Sequence, residues 1–397
     1  MITSWVPAWI SFLIVIVLIL LFSKYELSVV LLGGALLFGF LADVNLINSI
    51  LAVCLDPAII LIALALVFIP LLGGLMEKSG LMEELIENMN ISKRSSLMLA
   101  PALYGLLPVA GGALMSAPII DQIGSEMENH KKVAINVWFR HIFILIYPVS
   151  LLVISEIADI NLYVIMFSML IPFVILAVIG YGLLVRSVSE GEKDHKRDYK
   201  KIARNVSPII LPPLVDLLGR TIFQIEYPEF FLLLGLIISL FLSLKLGKMR
   251  IQSLGSIGKQ MKLWRFPLLI ISMFLFLEVF QRSSVPTTIA NLNLPFILFL
   301  CLSFFLGFAT GRIQLPLSIM VPIYISQYVF GFIPLLDFSF LYLAIFLGYL
   351  ITPIHPCVSY SIEYYNTTFK KVLKQLSIPT FLSLGILIIF YIILSPL

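Results

Sequence analysis

The sequence predicts an all-α polytopic membrane protein made of two inverted repeats, each with five transmembrane helices and one re-entrant hairpin. Three observations predict it. Of the 397 residues, 60% are hydrophobic and only 12% are charged, which lies outside the range of soluble globular chains. The hydrophobic residues gather in runs near ~20 residues, the length needed to cross a bilayer core of about 30 Å at about 1.5 Å per residue. The runs form two similar sets, residues 1–186 and 207–397, joined by the highly charged linker 187–206.

The first set opens with Pro7 to Ser23, which lacks a preceding Lys or Arg and a small-residue cleavage signature, and so reads as a retained helix. Glu26 to Ala42, Pro57 to Met76, an interrupted run from Ser96 to Gly124, Val133 to Ile157 and Leu162 to Val185 follow. The second set is Ser207 to Thr221, Pro228 to Leu246, Phe266 to Phe280, an interrupted run from Pro295 to Tyr328, Phe340 to Tyr364 and Ile378 to Ser395. Local matches support a repeat: Lys78-Ser79-Gly80 with Arg282-Ser283-Ser284 and Pro118 with Pro322 at a shift of 204, then Pro148 with Pro356 at 208. Leu81 to Met89 and Lys248 to Trp264 mix apolar and charged residues in the manner of interfacial helices; a solvated loop is the competing reading for each.

Five crossings per half place the second half in the opposite orientation, and charge tests this. With the linker cytoplasmic, 22 of the 26 Lys and Arg fall on the inside, whereas Asp43, Asp56, Glu156, Asp159, Glu226, Glu229 and Asp337 fall outside. The bias predicts ten spanning helices in a cell membrane, both termini outside, and explains the net charge of +4 without a nucleic-acid partner. Cys54, Cys301 and Cys357 are odd in number and show no metal-ligand spacing, so neither a disulfide framework nor a metal site is expected.

Function is expected at the breaks. The arm Ser96 to Leu107 reaches only about 18 Å as a helix before Pro108-Val-Ala-Gly111-Gly112 interrupts it. Backbone freed by a turn inside the membrane is tolerated only against protein or a water-filled cavity. Gly111 and Gly112 permit close backbone approach to a solute, with helix packing as the alternative. The second run breaks at Thr310-Gly311-Arg312-Ile-Gln314-Leu-Pro316, and its longer arms leave two full crossings as an alternative. A cation at mid-membrane costs at least about 2.5 kcal/mol, so Arg312 reads either as an anion ligand or as an arginine at an external turn. Two further breaks lie inside spans, at Tyr147-Pro148-Val-Ser150 and at Thr352-Pro-Ile-His355-Pro-Cys357, where proline frees carbonyls for a cation or substrate. His355 either orients a solute, carries a proton or packs. Asp121, Arg140, His141, Asp216 and Glu278 lie near segment ends, from which most long polar side chains snorkel to water, and none is given a role.

The order of elements and the PVAGG and TGRIQLP breaks resemble the ion-transporter superfamily that includes gluconate permeases and dicarboxylate/sodium symporters. The nearest resemblance is to the membrane family called domain of unknown function 401, over nearly the whole chain, with its most distinctive stretches at Leu107 to Asp121, Gly311 to Pro322 and Thr352 to Ser359. The resemblance implies a scaffold domain, a mobile transport domain, two re-entrant hairpins and elevator-like movement of an anion. Neither break carries the Ser-Asn-Thr tip of the dicarboxylate/sodium symporters, so only locations carry over: Pro108, Gly111, Gly112 and Ser116, and Thr310, Gly311, Arg312, Gln314 and Ser318.

These readings combine into a secondary active transporter of a small carboxylate-type anion, driven by H+ or Na+. Arg312 is expected to pair with the solute's charge, Ser116, Ser318, Ser150 and Ser359 to supply hydroxyls, and Tyr147, Thr352 and His355 to complete the site. Beyond a coupling ion, no cofactor is expected; the partners are the bilayer and the anion, with a homodimer left open. A channel or structural membrane protein is the alternative. An intramembrane enzyme ranks lower, because the chain has neither HExxH nor GxSxG, and the lack of a P-loop argues against a primary pump.

Overall fold

The computed structural model describes residues 7–22, 25–106, 112–190, 197–328 and 331–394. These residues are overwhelmingly helical, with no strand among them. The first half runs α1 (Ala8–Phe22), α2 (Leu27–Leu41), α3 (Leu46–Leu55), α4 (Pro57–Lys78), α5 (Leu81–Met89), α6 (Lys93–Leu106), α7 (Gly112–Ile123), α8 (Asn129–Ile142), α9 (Pro148–Ala158), α10 (Leu162–Ser168) and α11 (Leu170–Gly180). The second runs α12 (Tyr199–Ile222), α13 (Glu229–Leu246), α14 (Ser253–Met261), α15 (Arg265–Arg282), α16 (Val285–Ala290), α17 (Phe296–Thr310), α18 (Gln314–Tyr328), α19 (Leu335–Ile351), α20 (Pro356–Tyr364) and α21 (Phe369–Leu394).

Within the described residues, every apolar run expected from the sequence is helical apart from its breaks. By length and composition, four helices suffice to cross a membrane, and up to seven spans result if each bent pair counts as one. Shorter apolar helices include α1 and α2, which lie on two of the expected crossings, and α17, which lies on the first arm of the second interrupted run. The ends are set by local chemistry. Asp56 Oδ1 accepts the Ala58 N–H at 2.8 Å to start α4, and Asp198 accepts from the amides of Lys200 and Lys201 to start α12. Gly311, at φ +60°, closes α17 in the left-handed conformation that glycine adopts without a Cβ penalty. Helices α3 and α16 were not expected; at 10 and 6 residues they are too short for a search tuned to spans. The expected interfacial stretches are helical as α5 and α14.

Two compact units emerge, and both draw on the two sequence halves. The first comprises residues 1–64, 152–161 and 264–354, and the second residues 65–151, 162–263 and 355–397. In the first, α1 and α2 pack with α15 through an aromatic cluster, Phe12 with Phe38 at 5.6 Å and with Phe280 at 5.2 Å. Ser272 donates to the Ser28 carbonyl at 2.9 Å, and Arg265 pairs with Glu26 at 2.8 Å. Helix α17 packs on α19 and α18 beside them.

In the second unit, α12 packs closely along α13, and α8 lies among α6, α7, α11, α20 and α21. Trp138 donates from Nε1 to the Leu176 carbonyl at 3.1 Å, tying α8 to α11. A buried network joins α10, α12 and α13: Tyr163 donates to Asp216 at 2.9 Å, Arg220 pairs with Asp216 at 2.9 Å, and Arg220 reaches Glu229 at 3.3 Å. Asp216 is 0% exposed. It is therefore no snorkelling residue, but a carboxylate held by two partners, as burial of a charge requires.

Candidate functional site

Helix α8 is where polar chemistry concentrates. Every residue from Lys132 to Ile142 is buried, so this stretch has no solvent face. Lys132, Asn136 and Arg140 are spaced i, i+4, i+8 and lie along one stripe. The first two are fully engaged. Lys132 Nζ is 2.6 Å from Asp121 Oδ1. The Asn136 side chain accepts from Ser116 Oγ at 2.6 Å and donates to the Ala113 carbonyl at 2.9 Å and to Ser361 Oγ at 3.1 Å, joining α7, α8 and α20. Tyr365 reinforces this by donating to the Ala117 carbonyl at 2.6 Å.

Arg140 breaks the pattern. It is 4% exposed, makes no ion pair among the described residues, and its Nη1 has no hydrogen-bond partner among them. The backbone at Arg140 is held by α6: a Cβ on Gly105 would overlap the Arg140 carbonyl oxygen, so only glycine permits this approach.

One residue on, His141 Nδ1 lies 2.5 Å from the Val137 carbonyl. A carbonyl only accepts, so Nδ1 carries the proton and Nε2 keeps its lone pair. The His141 ring meets the His355 ring edge-on at 4.5 Å between centroids. His355 caps the start of α20, with Pro356 at its first position, and Cys357 follows in the first turn. The ligating atoms of His141, His355 and Cys357 all lie within 4.8 Å of one another.

The sequence-derived candidates divide between the units. Gly112, Ser116, Tyr147, Ser150, His355 and Ser359 belong to the second; Thr310, Gly311, Arg312, Gln314, Ser318 and Thr352 belong to the first. Pro108 and Gly111 lie outside the described residues. Ser116 and His355 sit in the buried cluster. The expected break at Tyr147 is present as a 59° bend leading into α9, and Tyr147 donates its hydroxyl to the Ile209 carbonyl at 3.0 Å. Ser150 is half-buried at the start of α9, and Ser359 is exposed on α20. In the first unit, Thr310 Oγ1 donates to Leu306 O at 2.8 Å and accepts from the Arg312 amide at 3.3 Å. Ser318 donates to the Leu315 carbonyl at 2.8 Å, Thr352 is buried, Gln314 is half-buried, and Arg312 is exposed. Arg140 and His141, given no role from sequence, are the residues that reasoning missed. The available signal was the i, i+4, i+8 spacing of Lys132, Asn136 and Arg140.

Comparison with known proteins places this geometry. The family model described as protein of unknown function (DUF401) matches residues 6–394. The chain is a DUF401 protein. Among solved structures, this DUF401 chain is similar to the Alcanivorax borkumensis YdaH transporter, whose crystal structure has an unusual topology. The TM-score is 0.59 at 14% identity, covering 89% of this chain and 88% of the other. That similarity is one of fold. No curated protein matches this DUF401 chain.

Proposed function

We propose that this DUF401 protein is a secondary active transporter of a small carboxylate-type anion, coupled to H+ or Na+, with Arg140 as the cation that meets the solute's charge. The observation that carries the reading is the buried guanidinium, which has no ion-pair partner among the described residues. A cation in the membrane interior costs at least about 2.5–3.5 kcal/mol. The cost persists when no carboxylate offsets it, and an arriving anion removes it. Arg312, the candidate favoured by sequence, is exposed and makes no ion pair among the described residues, so it carries no such demand. His141, which follows Arg140 in the chain, and His355, whose ring meets that of His141, are groups able to orient the anion or carry the coupling proton.

The shared fold with a transporter supports transport, as does the repeated architecture. The order of α12 to α21 follows that of α1 to α11, with α6 and α7 answered by α17 and α18. At 14, 12, 15 and 15 residues, these four helices reach only about 18–23 Å each, the length expected of re-entrant arms within an inverted repeat. Two compact units are what elevator-type movement needs as its fixed and moving parts. The charge bias supports a cytoplasmic linker with both termini outside.

The test is uptake by purified protein in liposomes under an imposed H+ or Na+ gradient, using a panel of labelled mono- and dicarboxylates. At least one anion should accumulate. Arg140→Gln should abolish its uptake, Arg140→Lys should retain part of it, and Arg312→Gln should keep most. Failure of every anion to move, or wild-type uptake by a folded Arg140→Gln protein, would sink the proposal.

A further inference from the structure

The geometry points to a transition-metal site formed by His141, His355 and Cys357 within the second unit. The chain has only four histidines and three cysteines in 397 residues, yet two of the former and one of the latter converge within 4.8 Å. They come from elements far apart in sequence, the C-terminal end of α8 and the first turn of α20, so no local repeat brings them together. A tetrahedral ion held at about 2.0–2.3 Å from nitrogen and sulfur sets its ligands roughly 3.5 Å apart. The trio is therefore open by at most about 1.3 Å relative to a bound ion, within reach of side-chain rotation.

The chemistry of the set selects the ion. Two imidazoles and a thiol suit Zn2+, Co2+ or Cu+, whereas Na+, Mg2+ and Ca2+ require oxygen ligands that this trio does not offer. The hydrogen bond from His141 Nδ1 to Val137 fixes the tautomer and turns Nε2 into the donor, the arrangement in which metal-bound histidines are commonly held. Arg140, next to His141, opposes a cation, and loss of the Cys357 proton on metal binding supplies the compensating negative charge. Three protein ligands leave a fourth position open, which distinguishes this set from a closed four-ligand structural site.

Protein purified in detergent, stripped with chelator and titrated with Co2+ alone tests the site. One equivalent should give visible d–d bands and a near-ultraviolet thiolate-to-cobalt band, and Zn2+ should displace both. Cys357→Ser should remove the thiolate band, His355→Ala should weaken cobalt binding at least tenfold, and Cys301→Ser should leave the spectrum unchanged. If His355→Ala does not fold, the near-isosteric Cys357→Ser still decides. Absence of bands in the folded wild-type protein, or an unchanged spectrum in Cys357→Ser, overturns the assignment. Neither readout needs a solute or a gradient, so a negative result leaves the transport reading standing.

Discussion

Helices α6 and α8 in the second unit, and α17 and α19 in the first, meet through the same device. A Cβ on Gly105 would overlap the carbonyl oxygen of Arg140, and a Cβ on Gly307 would overlap that of Ile345. The side chains around these contacts differ. Along α8 the buried residues at and near the contact include Asn136, Arg140 and His141; along α19 those with the same spacing about Ile345 are Leu341, Ile345 and Phe346, all fully buried. Near the start of α19, Asp337 is engaged by the Tyr324 hydroxyl, where α8 carries Lys132 paired with Asp121. One kind of glycine contact thus carries polar side chains in one helix pair and apolar ones in the other. The close approach of the backbones rests on glycine in both pairs, whichever side chains surround it. The proposed function draws on the polar groups of α8 and on none of the three apolar residues of α19.

The strongest way to break this comparison is to fill the glycine contacts. Gly105→Ala and Gly307→Ala each drive a methyl into a backbone carbonyl, which cannot rotate away as a flexible side chain can. Overpacking costs typically about 1–3 kcal/mol, and these sites should fall at the upper end. Both variants should lower the thermal midpoint in detergent by more than Asn136→Leu or Glu84→Gln does. If one is tolerated and the other is not, the two helix pairs are not equivalent in energy, whatever their shape. Gly33→Ala, where a Cβ meets nothing within 4 Å, is the control and should leave the midpoint nearly unchanged.

The same comparison explains what could be read from sequence. Apolar runs announced the helices because hydrophobic length is a one-dimensional property, and α5 appears with the bounds expected, Leu81–Met89. The break before Pro148 was legible from the residue that causes it. Helices α3 and α16 escaped because neither reaches the length of a span. The site was harder. Arg140 and His141 lie near the end of an apolar run, a position from which a long side chain usually reaches water, and whether other helices cover that end depends on tertiary packing. Asn136 draws its partners from Ser116, 20 residues away, and Ser361, 225 residues away, so no local pattern marks the cluster. Ser116 and His355 were picked out by their proximity to breaks, while the metal-ligand trio spans both sequence halves and has no motif spacing.

A smaller effect sharpens the polar side of the comparison. Asn136→Leu gives α8 the residue that α19 carries at Leu341. It removes Asn136 Oδ1 as the 2.6 Å acceptor of the Ser116 hydroxyl, leaving that hydroxyl the longer 3.4 Å bond to the Ala113 carbonyl, and it removes the amide that donates to Ser361 Oγ. Losing a buried hydrogen-bond partner costs about 1–3 kcal/mol. The cost should shrink when Ser116→Ala and Ser361→Ala are added, since the hydroxyls that lost the Asn136 side chain are then gone, and a double-mutant cycle by denaturant or thermal unfolding measures the coupling. Additive costs would mean that the three residues do not act as one network, and that this part of the polar interior is incidental.

The smallest expected effect concerns the short helices that follow α4 and α15. Helix α5 packs on α12 in the second unit, and α16 packs on α1 in the first. Glu84 on α5 meets Asn205 at 3.0 Å, Arg204 at 2.5 Å and Lys201 at 3.8 Å, whereas α16 carries no acidic residue. The Asn205 hydrogen bond foremost, with help from Arg204, holds the Glu84 carboxyl below the usual carboxylate range. A folded-state pKa below the unfolded one stabilises the protein above the ordinary carboxylate value, and that contribution fades as pH falls through the lowered value. Glu84→Gln should therefore lower the thermal midpoint slightly at neutral pH, and the gap from wild type should close on acidification. Thr287→Val on α16 should show no such pH dependence. A gap at Glu84 that stayed constant with pH would place the residue's role in packing against α12, and would remove the charge contrast between the two short helices.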